Sequence, residues 1–191
     1  MTIISTTVGS LNLIVAHMGG GTSVGAHRQG LVVEVNNGLE GEGAFTGERC
    51  GGLTALDVVK ATLSGQWGTT YAEIRHELCM KSGLVGHTGT NDGREITRRI
   101  AEGDTKAELA YRTMAYQVSK EICALAAPLK GKVDAILLTG GFAYDKVLMS
   151  WIEDYVGYLA PVHVYPGEDE MLALAQGAMR VLNGKETAKV Y

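Results

Sequence analysis

The sequence predicts an α/β domain with a mixed five-stranded sheet, flanking helices and a helical insertion. Three observations support this fold class. Three short β-rich runs separated by glycine-containing turns come first, and they predict a meander of strands. A long stretch with helical periodicity follows, and the chain closes with a strand–helix–strand–helix pattern. Together these parts predict a sheet of meander and helix-linked strands that is covered by helices.

The first three strands are expected over Leu11–His17, Thr22–Arg28 and Leu31–Asn36. Glycines bound these runs, and Gln29-Gly30 is typical of a tight hairpin turn. The small and polar residues 1–10 predict a flexible leader, so the folded domain is expected over residues 11–191.

The helical insertion is expected over roughly residues 53–128, after a glycine-rich loop at 37–52 whose length favours a functional role. Asp104 caps the longest predicted helix, in which apolar residues at helical spacing line one face, and Pro128 is expected to end it. The other elements predicted here are helices over Thr54–Ser64, Thr69 or Thr70 to Ser82, and Ile96–Glu102, with a turn over Gly86–Glu95.

The last part of the chain predicts two helix-linked strands. A strand over Val133–Thr139 ends at Gly140-Gly141, and a second over Val162–Tyr165 ends at Pro166-Gly167. Helices are expected over Tyr144–Val156 and Glu168–Leu182. The acidic start of the last helix, Glu168, Asp169 and Glu170, suits the positive end of its dipole.

The segment Gly19-Gly20-Gly21-Thr22-Ser23, between the first two strands, is the strongest candidate for a binding site. Consecutive glycines leave backbone N–H groups uncovered for an anionic oxygen, and the two hydroxyls add donors. A P-loop is excluded because Ala26-His27 follows in place of Lys-Ser/Thr, and a dinucleotide fingerprint because a strand follows in place of a helix. On these residues alone, the segment is consistent either with a phosphate-binding turn or with a glycine hairpin that binds no ligand.

Composition narrows the class of partner. The net charge of −4 offers no basic surface, so neither nucleic acid nor an anionic membrane is expected as a partner. Cys50, Cys79 and Cys123 lack CxxC spacing, which predicts reduced thiols rather than disulfides or a zinc site. The start of the chain lacks a basic signal-peptide pattern and no apolar run reaches membrane-spanning length, so the expected location is cytoplasmic.

Several ordered motifs resemble the acetate and butyrate kinase family, and the butyrate kinases in particular. The resemblance covers Leu11 to about Asn183 and implies a ribonuclease H-like fold of the actin, Hsp70 and sugar kinase superfamily. It corresponds to the C-terminal half of that family. The motifs are Leu13–His27, Val35–Gly43, Glu48-Arg49-Cys50-Gly51-Gly52 and the tail from Val164 to Leu182, with Cys50 where the family usually has serine.

The resemblance implies transfer of the ATP γ-phosphate to a short-chain carboxylate, which gives ADP and an acyl phosphate, and the reverse reaction. Mg²⁺ is implied as the cofactor. His17 and Arg49 correspond to the family's histidine and arginine that stabilise the transferring group, and a guanidinium suits both phosphate and carboxylate. The alternatives are a hydrogen-bonded core histidine and a solvated loop arginine.

Three further assignments follow from the resemblance. Asp92 and Arg94 match a nucleotide-binding segment, Gly140 and Gly141 match the adenosine motif, and Glu170 falls where the family has an acidic residue associated with magnesium. The structural alternatives are a helix cap with a surface ion pair for Asp92 and Arg94, and a cap of the last helix for Glu170.

The resemblance also implies partners, namely a missing N-terminal half or a complementary chain, and a homodimer or higher oligomer. Two functions are therefore weighed. In the first, the chain supplies the nucleotide-binding half of a butyrate kinase-type phosphotransferase. In the second, it is an isolated nucleotide-binding or dimerisation module, which is the favoured hypothesis for this chain acting alone.

Overall fold

The computed structural model describes residues 8–188, without the side chains of Val8 and Glu170. Its five strands are ordered β3-β2-β1-β4-β5 in one sheet. β1 pairs antiparallel with β2 and parallel with β4, and the remaining pairs are β2–β3 antiparallel and β4–β5 parallel. The predicted mixed five-stranded sheet is confirmed. The strands are β1 Asn12–Met18, β2 Thr22–Arg28, β3 Leu31–Val35, β4 Ala135–Gly140 and β5 Val162–Pro166.

The predicted hairpin at Gln29-Gly30 is also confirmed. Arg28 pairs directly with Leu31, so these two residues form the whole loop. Gln29 has a φ of 49° and Gly30 a φ of 81°, as the two-residue turns that suit the twist of an antiparallel ribbon require.

Five of the helices lie between β3 and β4, where the helical insertion was predicted, and one follows each of β4 and β5. They are α1 Ala55–Leu63, α2 Tyr71–Met80, α3 Gly83–Thr88, α4 Gly93–Ala101, α5 Thr105–Ala124, α6 Lys146–Val156 and α7 Glu170–Leu182. The predicted caps Thr70 and Asp104 accept hydrogen bonds from the first turns of α2 and α5.

Several predicted boundaries were wrong. α3 occupies part of the stretch predicted as a turn, because a six-residue helix is too short to show helical periodicity. α5 ends at Ala124, before Pro128, and α7 begins at Glu170, so Glu168 and Asp169 precede its first turn. Residues 1–7 of the predicted leader lie outside the described residues, and Val8–Ser10 form one turn of 3₁₀ helix.

The core lies between one face of the sheet and the helices α5 and α6. Alternate residues of β1, among them Ile14 and Met18, are fully buried and belong to the same cluster as Tyr111 of α5 and Ile152 of α6. Because Met18 faces this core, His17 lies on the opposite face of the sheet, and its side chain is 43% exposed. This alternation directs the predicted catalytic histidine away from the core.

Apolar side chains are exposed on several elements at the surface. They include Leu31 and Val32 of β3, Leu56 and Leu63 of α1, and Leu174 and Leu182 of α7. Within residues 8–188, none of the helices combines the length and the apolar character needed to cross a bilayer.

Candidate functional site

The glycine turn joins β1 to β2 and presents free backbone donors. The Gly19 N–H donates to Gly21 O at 2.8 Å, which closes the turn. Among residues 8–188, the amide N–H groups of Gly20 and Gly21 have no hydrogen-bond acceptor. Gly20 is exposed and Gly21 is half-buried, so these donors are available to a ligand oxygen as the phosphate hypothesis requires.

The turn is held from behind by the segment 46–49. The carbonyl oxygen of Gly20 accepts hydrogen bonds from the Thr46 hydroxyl at 2.6 Å and from the Glu48 N–H at 3.1 Å. Thr46 is 1% exposed, so its hydroxyl is committed to this contact. The orientation of the Gly20–Gly21 peptide is therefore fixed before any ligand binds.

Arg49 lies against the same turn. Its Nη1 contacts Glu48 Oε2 at 2.9 Å, and its Nε is buried without a hydrogen-bond partner. A Cβ atom on Gly20 would lie 3.2 Å from Arg49 Nη1, and one on Gly21 would lie 2.8 Å from the Gly38 carbonyl oxygen. Close packing against backbone favours glycine at position 21, whereas a Cβ on Gly20 would meet only the ends of the Arg49 and Glu48 side chains; neither residue has a positive φ.

The predicted nucleotide segment begins α4. Asp92 caps this helix by accepting hydrogen bonds at Oδ1 from the Arg94 N–H and Nε, both at 3.0 Å, and at Oδ2 from Nη2 at 2.8 Å. These contacts hold the pKa of Asp92 below its usual range. The predicted cap and surface pair are therefore present, and both residues also line a cleft.

This cleft has a volume of about 910 Å³ and extends from the glycine turn to the starts of α4 and α6. Five of the predicted site residues line it, namely Gly19, Gly20, Asp92, Arg94 and Gly141. The other residues that line it are Asn91, Gly93, Thr97, Phe142, Tyr144, Asp145, Lys146, Val147 and Glu168. The size and the mixture of aromatic, cationic and backbone groups fit a ligand as large as a nucleotide.

The two glycines that follow β4 have different roles. Gly140 has a φ of 92°, and a Cβ there would lie 2.4 Å from Met18 O, so it permits close packing of β4 on β1. Gly141 has no neighbour within 4 Å of its Cβ position and faces the cleft. Only the second glycine is therefore placed to contact a ligand in the cleft.

Asp145 connects the helices that form the far wall of the cleft. It caps α6, and its Oδ2 accepts hydrogen bonds from Thr97 Oγ1 of α4 at 2.5 Å and from the Tyr111 hydroxyl of α5 at 3.0 Å. Burial, and then the Asp145 charge, raise the pKa of the Tyr111 phenol. This network fixes the wall in place.

His17 faces a second, neighbouring cavity of about 480 Å³. Its Nε2 lies 3.2 Å from Glu168 Oε1, and Glu168 lines both cavities. Thr22 is only 3% exposed, and neither it nor Ser23 lines either cavity. The hydroxyl donors predicted for the phosphate turn are thus not brought to the cleft, whereas Gly20, which carries a free backbone N–H, lines it.

The described carboxylates fit a metal that is carried by a nucleotide better than a protein-only metal cage. Within residues 8–188, no group of three or more His, Cys, Asp or Glu side chains is arranged to hold a metal ion. Glu168 lies beside the glycine turn, with its Oε1 3.4 Å from the Cβ position of Gly19, and Asp169 lines the His17 cavity with it. Mg²⁺ characteristically uses one or two carboxylates together with phosphate oxygens. The side chain of Glu170 lies outside the described part of the structure, so its assignment stays a prediction.

The sequence reasoning missed several residues of the site, among them three charged ones that bear on the proposed chemistry. Glu48 precedes Arg49, Glu168 follows the Pro-Gly at the end of β5, and Lys146 follows the Gly-Gly at the end of β4. The position of the last two was a usable signal, because ligands in open α/β sheets bind beyond the carboxyl ends of parallel strands. Glu48 had no such signal.

Comparison with known proteins gives consistent matches. The model of the acetokinase family matches residues 1–166. The chain is 51% identical over 181 residues to butyrate kinase 2 of Clostridium acetobutylicum, a match that covers 95% of this chain and 50% of that protein. It is also 51% identical over 181 residues to a probable butyrate kinase 2 of Caldanaerobacter subterraneus subsp. tengcongensis, with the same coverage. The chain therefore spans about half the length of these curated relatives.

Solved structures show the same fold. The acetate kinase of Porphyromonas gingivalis superposes with a TM-score of 0.80 at 24% identity, over 91% of this chain and 50% of that one. A propionate kinase from Francisella tularensis superposes with a TM-score of 0.74 at 25% identity, over 85% of this chain and 47% of that one.

Proposed function

The chain belongs to the acetokinase family, and from this premise we propose that it supplies the nucleotide-binding half of a butyrate kinase-type carboxylate kinase. The reaction is reversible transfer of a phosphoryl group between ATP and a short-chain carboxylate, with ADP and an acyl phosphate as products. The identity to butyrate kinases supports this reaction class.

The observation that carries the proposal is the position of the free N–H groups of Gly20 and Gly21. The turn lines one end of the cleft through Gly19 and Gly20, with Gly21 next in the chain, and Gly141 and the start of α4 lie at another part of the cleft wall. In this proposal, phosphate oxygens of the nucleotide accept from the glycine turn, and the nucleoside occupies the part of the cleft beside Gly141 and Arg94. Backbone donors suit phosphates because they are prealigned and carry no competing anion.

Phosphoryl transfer depends on positioning and on neutralising charge, more than on covalent chemistry by the protein. Arg49 lies against the turn with a buried, unpaired Nε–H and lines neither cavity, so in this proposal its side chain moves toward the cleft to hold the group in transit. His17 lines the adjoining cavity, and in this proposal it donates a hydrogen bond to the same group. Both roles stay proposals.

Glu168, with Asp169 and the predicted Glu170, would hold Mg²⁺ next to the phosphates. When bound, Mg²⁺ would neutralise charge on the β- and γ-phosphate oxygens. Glu168 also contacts His17, so one carboxylate would serve both the metal and the orientation of the imidazole.

A second candidate function is nucleotide binding without turnover. It is favoured by the span of the match, because residues that the relatives hold in their other half are outside this sequence. Under this alternative the glycine turn and the cleft keep their binding roles, and His17 and Arg49 have no reacting group to contact.

Isothermal titration of the full chain with Mg-ADP tests what the two functions share. Saturable one-to-one binding, lost on competition with Mg-ATP and unaffected by a non-nucleotide dianion such as succinate, is expected. Heats equal to those of dilution for both nucleotides would refute nucleotide binding and with it both proposed functions.

A further inference from the structure

A carboxylate side chain joins the glycine turn to the start of α4. Glu48 Oε1 accepts a hydrogen bond from Asn91 Nδ2 at 2.8 Å, and Oε2 accepts one from Arg49 Nη1 at 2.9 Å. The Glu48 side chain is 24% exposed, so most of it is shielded from solvent. Hydrogen bonds to an ionised acceptor in such a setting are stronger than neutral ones, so this bridge can hold two segments in register.

The near end of the bridge is fixed to the glycine turn. The Glu48 N–H donates to Gly20 O at 3.1 Å, and the Glu48 carbonyl accepts from the Ser82 N–H at 3.2 Å. The backbone of Glu48 is thus anchored on both sides, and the side chain starts from a defined point beside the turn.

The far end of the bridge sets the position of the nucleotide segment. Asn91 immediately precedes Asp92, the cap of α4, and its Cβ would lie 3.4 Å from a Cβ placed on Gly47. Within residues 8–188, no hydrogen bond or ion pair joins the side chains of Asp92 or Arg94 to the glycine turn. The Glu48–Asn91 hydrogen bond is therefore a direct side-chain link between the segment that holds the turn and the start of α4, and Asp145 also holds that helix.

We propose that Glu48 is a positioning residue that sets the distance between the phosphate turn and the nucleoside part of the cleft. This inference rests on the proposed nucleotide function. A ligand that spans both subsites gains affinity when their spacing matches its length, whereas a fragment that contacts one subsite is insensitive to that spacing.

The test uses three ligands on the full chain, in the presence of Mg²⁺. ADP spans the cleft, adenosine represents its nucleoside part and inorganic pyrophosphate its phosphate part. The variants are compared by one ratio, the product of the dissociation constants of adenosine and pyrophosphate divided by the dissociation constant of ADP. An effect confined to one subsite changes the ADP constant and one fragment constant by the same factor, so it cancels in this ratio. NMR titration gives all three constants, and circular dichroism confirms folding of each variant.

Glu48→Asp keeps the charge, but its shorter stem cannot reach both Asn91 and Arg49. We expect it to lower the ratio about tenfold, the effect of losing one hydrogen bond to a charged group. Glu48→Ala should lower the ratio at least as much, and it replaces Glu48→Asp if that variant is unfolded. Glu102→Ala is the matched control, since it breaks an exposed Glu–Arg pair with Arg98 away from the turn and should leave the ratio unchanged.

The outcomes distinguish failure of the proposed nucleotide function from failure of the inference on Glu48. A wild-type chain that binds none of the three ligands overturns the proposed function and this inference together. A wild-type chain that binds ADP, with a ratio in Glu48→Asp and Glu48→Ala within twofold of wild type, overturns the inference alone. If a Glu48 variant loses ADP and adenosine affinity by the same factor, the ratio is unchanged. That result would also count against the inference, because the effect would lie within the nucleoside subsite.

Discussion

Glu168 Oε1 lies 3.2 Å from His17 Nε2, which joins the segment after β5 to the end of β1. The contact follows from the sheet, because β1 and β5 flank β4 in parallel and their carboxyl ends meet at one edge. Both side chains are partly exposed, at 43% and 44%, so each can also contact a ligand. The carboxylate of Glu168 therefore lies beside the proposed phosphate turn. Because two neighbouring anions repel each other, phosphate bound at the turn would require a cation beside this carboxylate.

The first prediction concerns the dependence of nucleotide binding on Mg²⁺. Wild-type chain should bind ADP more tightly in Mg²⁺ than in EDTA, and Glu168→Ala should remove most of that gain. Without metal, the variant should bind ADP at least as well as wild type, because an anionic neighbour of the phosphates has been removed. Paired calorimetric titrations measure both effects.

Glu186→Ala is the matched control for Glu168→Ala. It removes a carboxylate that pairs with Arg180 on the surface, so the gain from Mg²⁺ should persist. If Glu168→Ala keeps the full gain, Glu168 does not hold the metal and the carboxylate of Glu170 becomes the stronger candidate.

The second prediction tests the glycine turn. Gly20→Val should abolish Mg-ADP binding, because its Cβ would lie 3.2 Å from Arg49 Nη1 and 3.3 Å from Glu48 Oε2, and its branches would cover the free N–H groups. Gly177→Val is the control, since the nearest atom to its Cβ position is 3.8 Å away, at the end of Arg180. Equal ADP affinity in wild type and Gly20→Val would show the turn to be a plain hairpin.

The sheet could be predicted from the sequence because its signals are local. Glycines and the Gln29-Gly30 pair mark the strand ends, and apolar periodicity marks α5. The boundary errors have the same origin, because α3 has only six residues and the acidic run before α7 resembles a first turn whether or not it is helical.

The site was predicted less completely than the fold, because the site residues that were not predicted are brought into place by contacts between distant parts of the sequence. The proposed role of Glu48 depends on its hydrogen bond to Asn91, and the position of Glu168 depends on β5 lying two strands from β1. Local sequence also suggested hydroxyl donors at Thr22 and Ser23, whereas the alternation of β2 buries Thr22.

The third prediction concerns Tyr111, whose buried hydroxyl donates to Asp145. Tyr111→Phe should lower the free energy of unfolding at pH 7 by about 1.5–3 kcal/mol, the value of a hydrogen bond to a charged group. The pKa of this phenol is raised in the folded state, so its contribution is complete below the unfolded value near pH 10 and is lost as the pH rises above it.

Denaturant unfolding at several pH values tests this sign. The difference between wild type and Tyr111→Phe should narrow above about pH 10, because only the wild type has a phenol to ionise on unfolding at this site. Tyr71→Phe, at a side chain that is 74% exposed, should leave stability unchanged throughout. A difference that stays constant up to pH 11 would contradict the assigned environment of Tyr111.

The fourth prediction is self-association through α7. Leu172 and Leu174 are 55% and 62% exposed, and large apolar patches on a folded domain favour association. Sedimentation at tens of micromolar (about 10–100 μM) should show a dimer or higher oligomer in mass-action exchange with monomer. Leu174→Glu should shift the equilibrium toward monomer, while Gln176→Glu adds the same charge to the same helix without removing apolar surface and should shift it less. A strictly monomeric wild-type chain would contradict the prediction.

The last prediction is that the purified chain alone does not phosphorylate butyrate, propionate or acetate at a useful rate. In-line transfer requires the metal–nucleotide and the acceptor to be held together, and positioning contributes about 7–11 kcal/mol of barrier lowering. In the proposed function the cleft supplies the nucleotide side of this arrangement, and the chain spans about half the length of the butyrate kinases that it matches. Trapping of acyl phosphate as a hydroxamate, with Mg-ATP and each acid, should therefore give a signal equal to that of Gly20→Val, which serves as the background control. A turnover of about 1 per second that Gly20→Val abolishes would contradict the prediction and would assign the complete reaction to the residues of this chain.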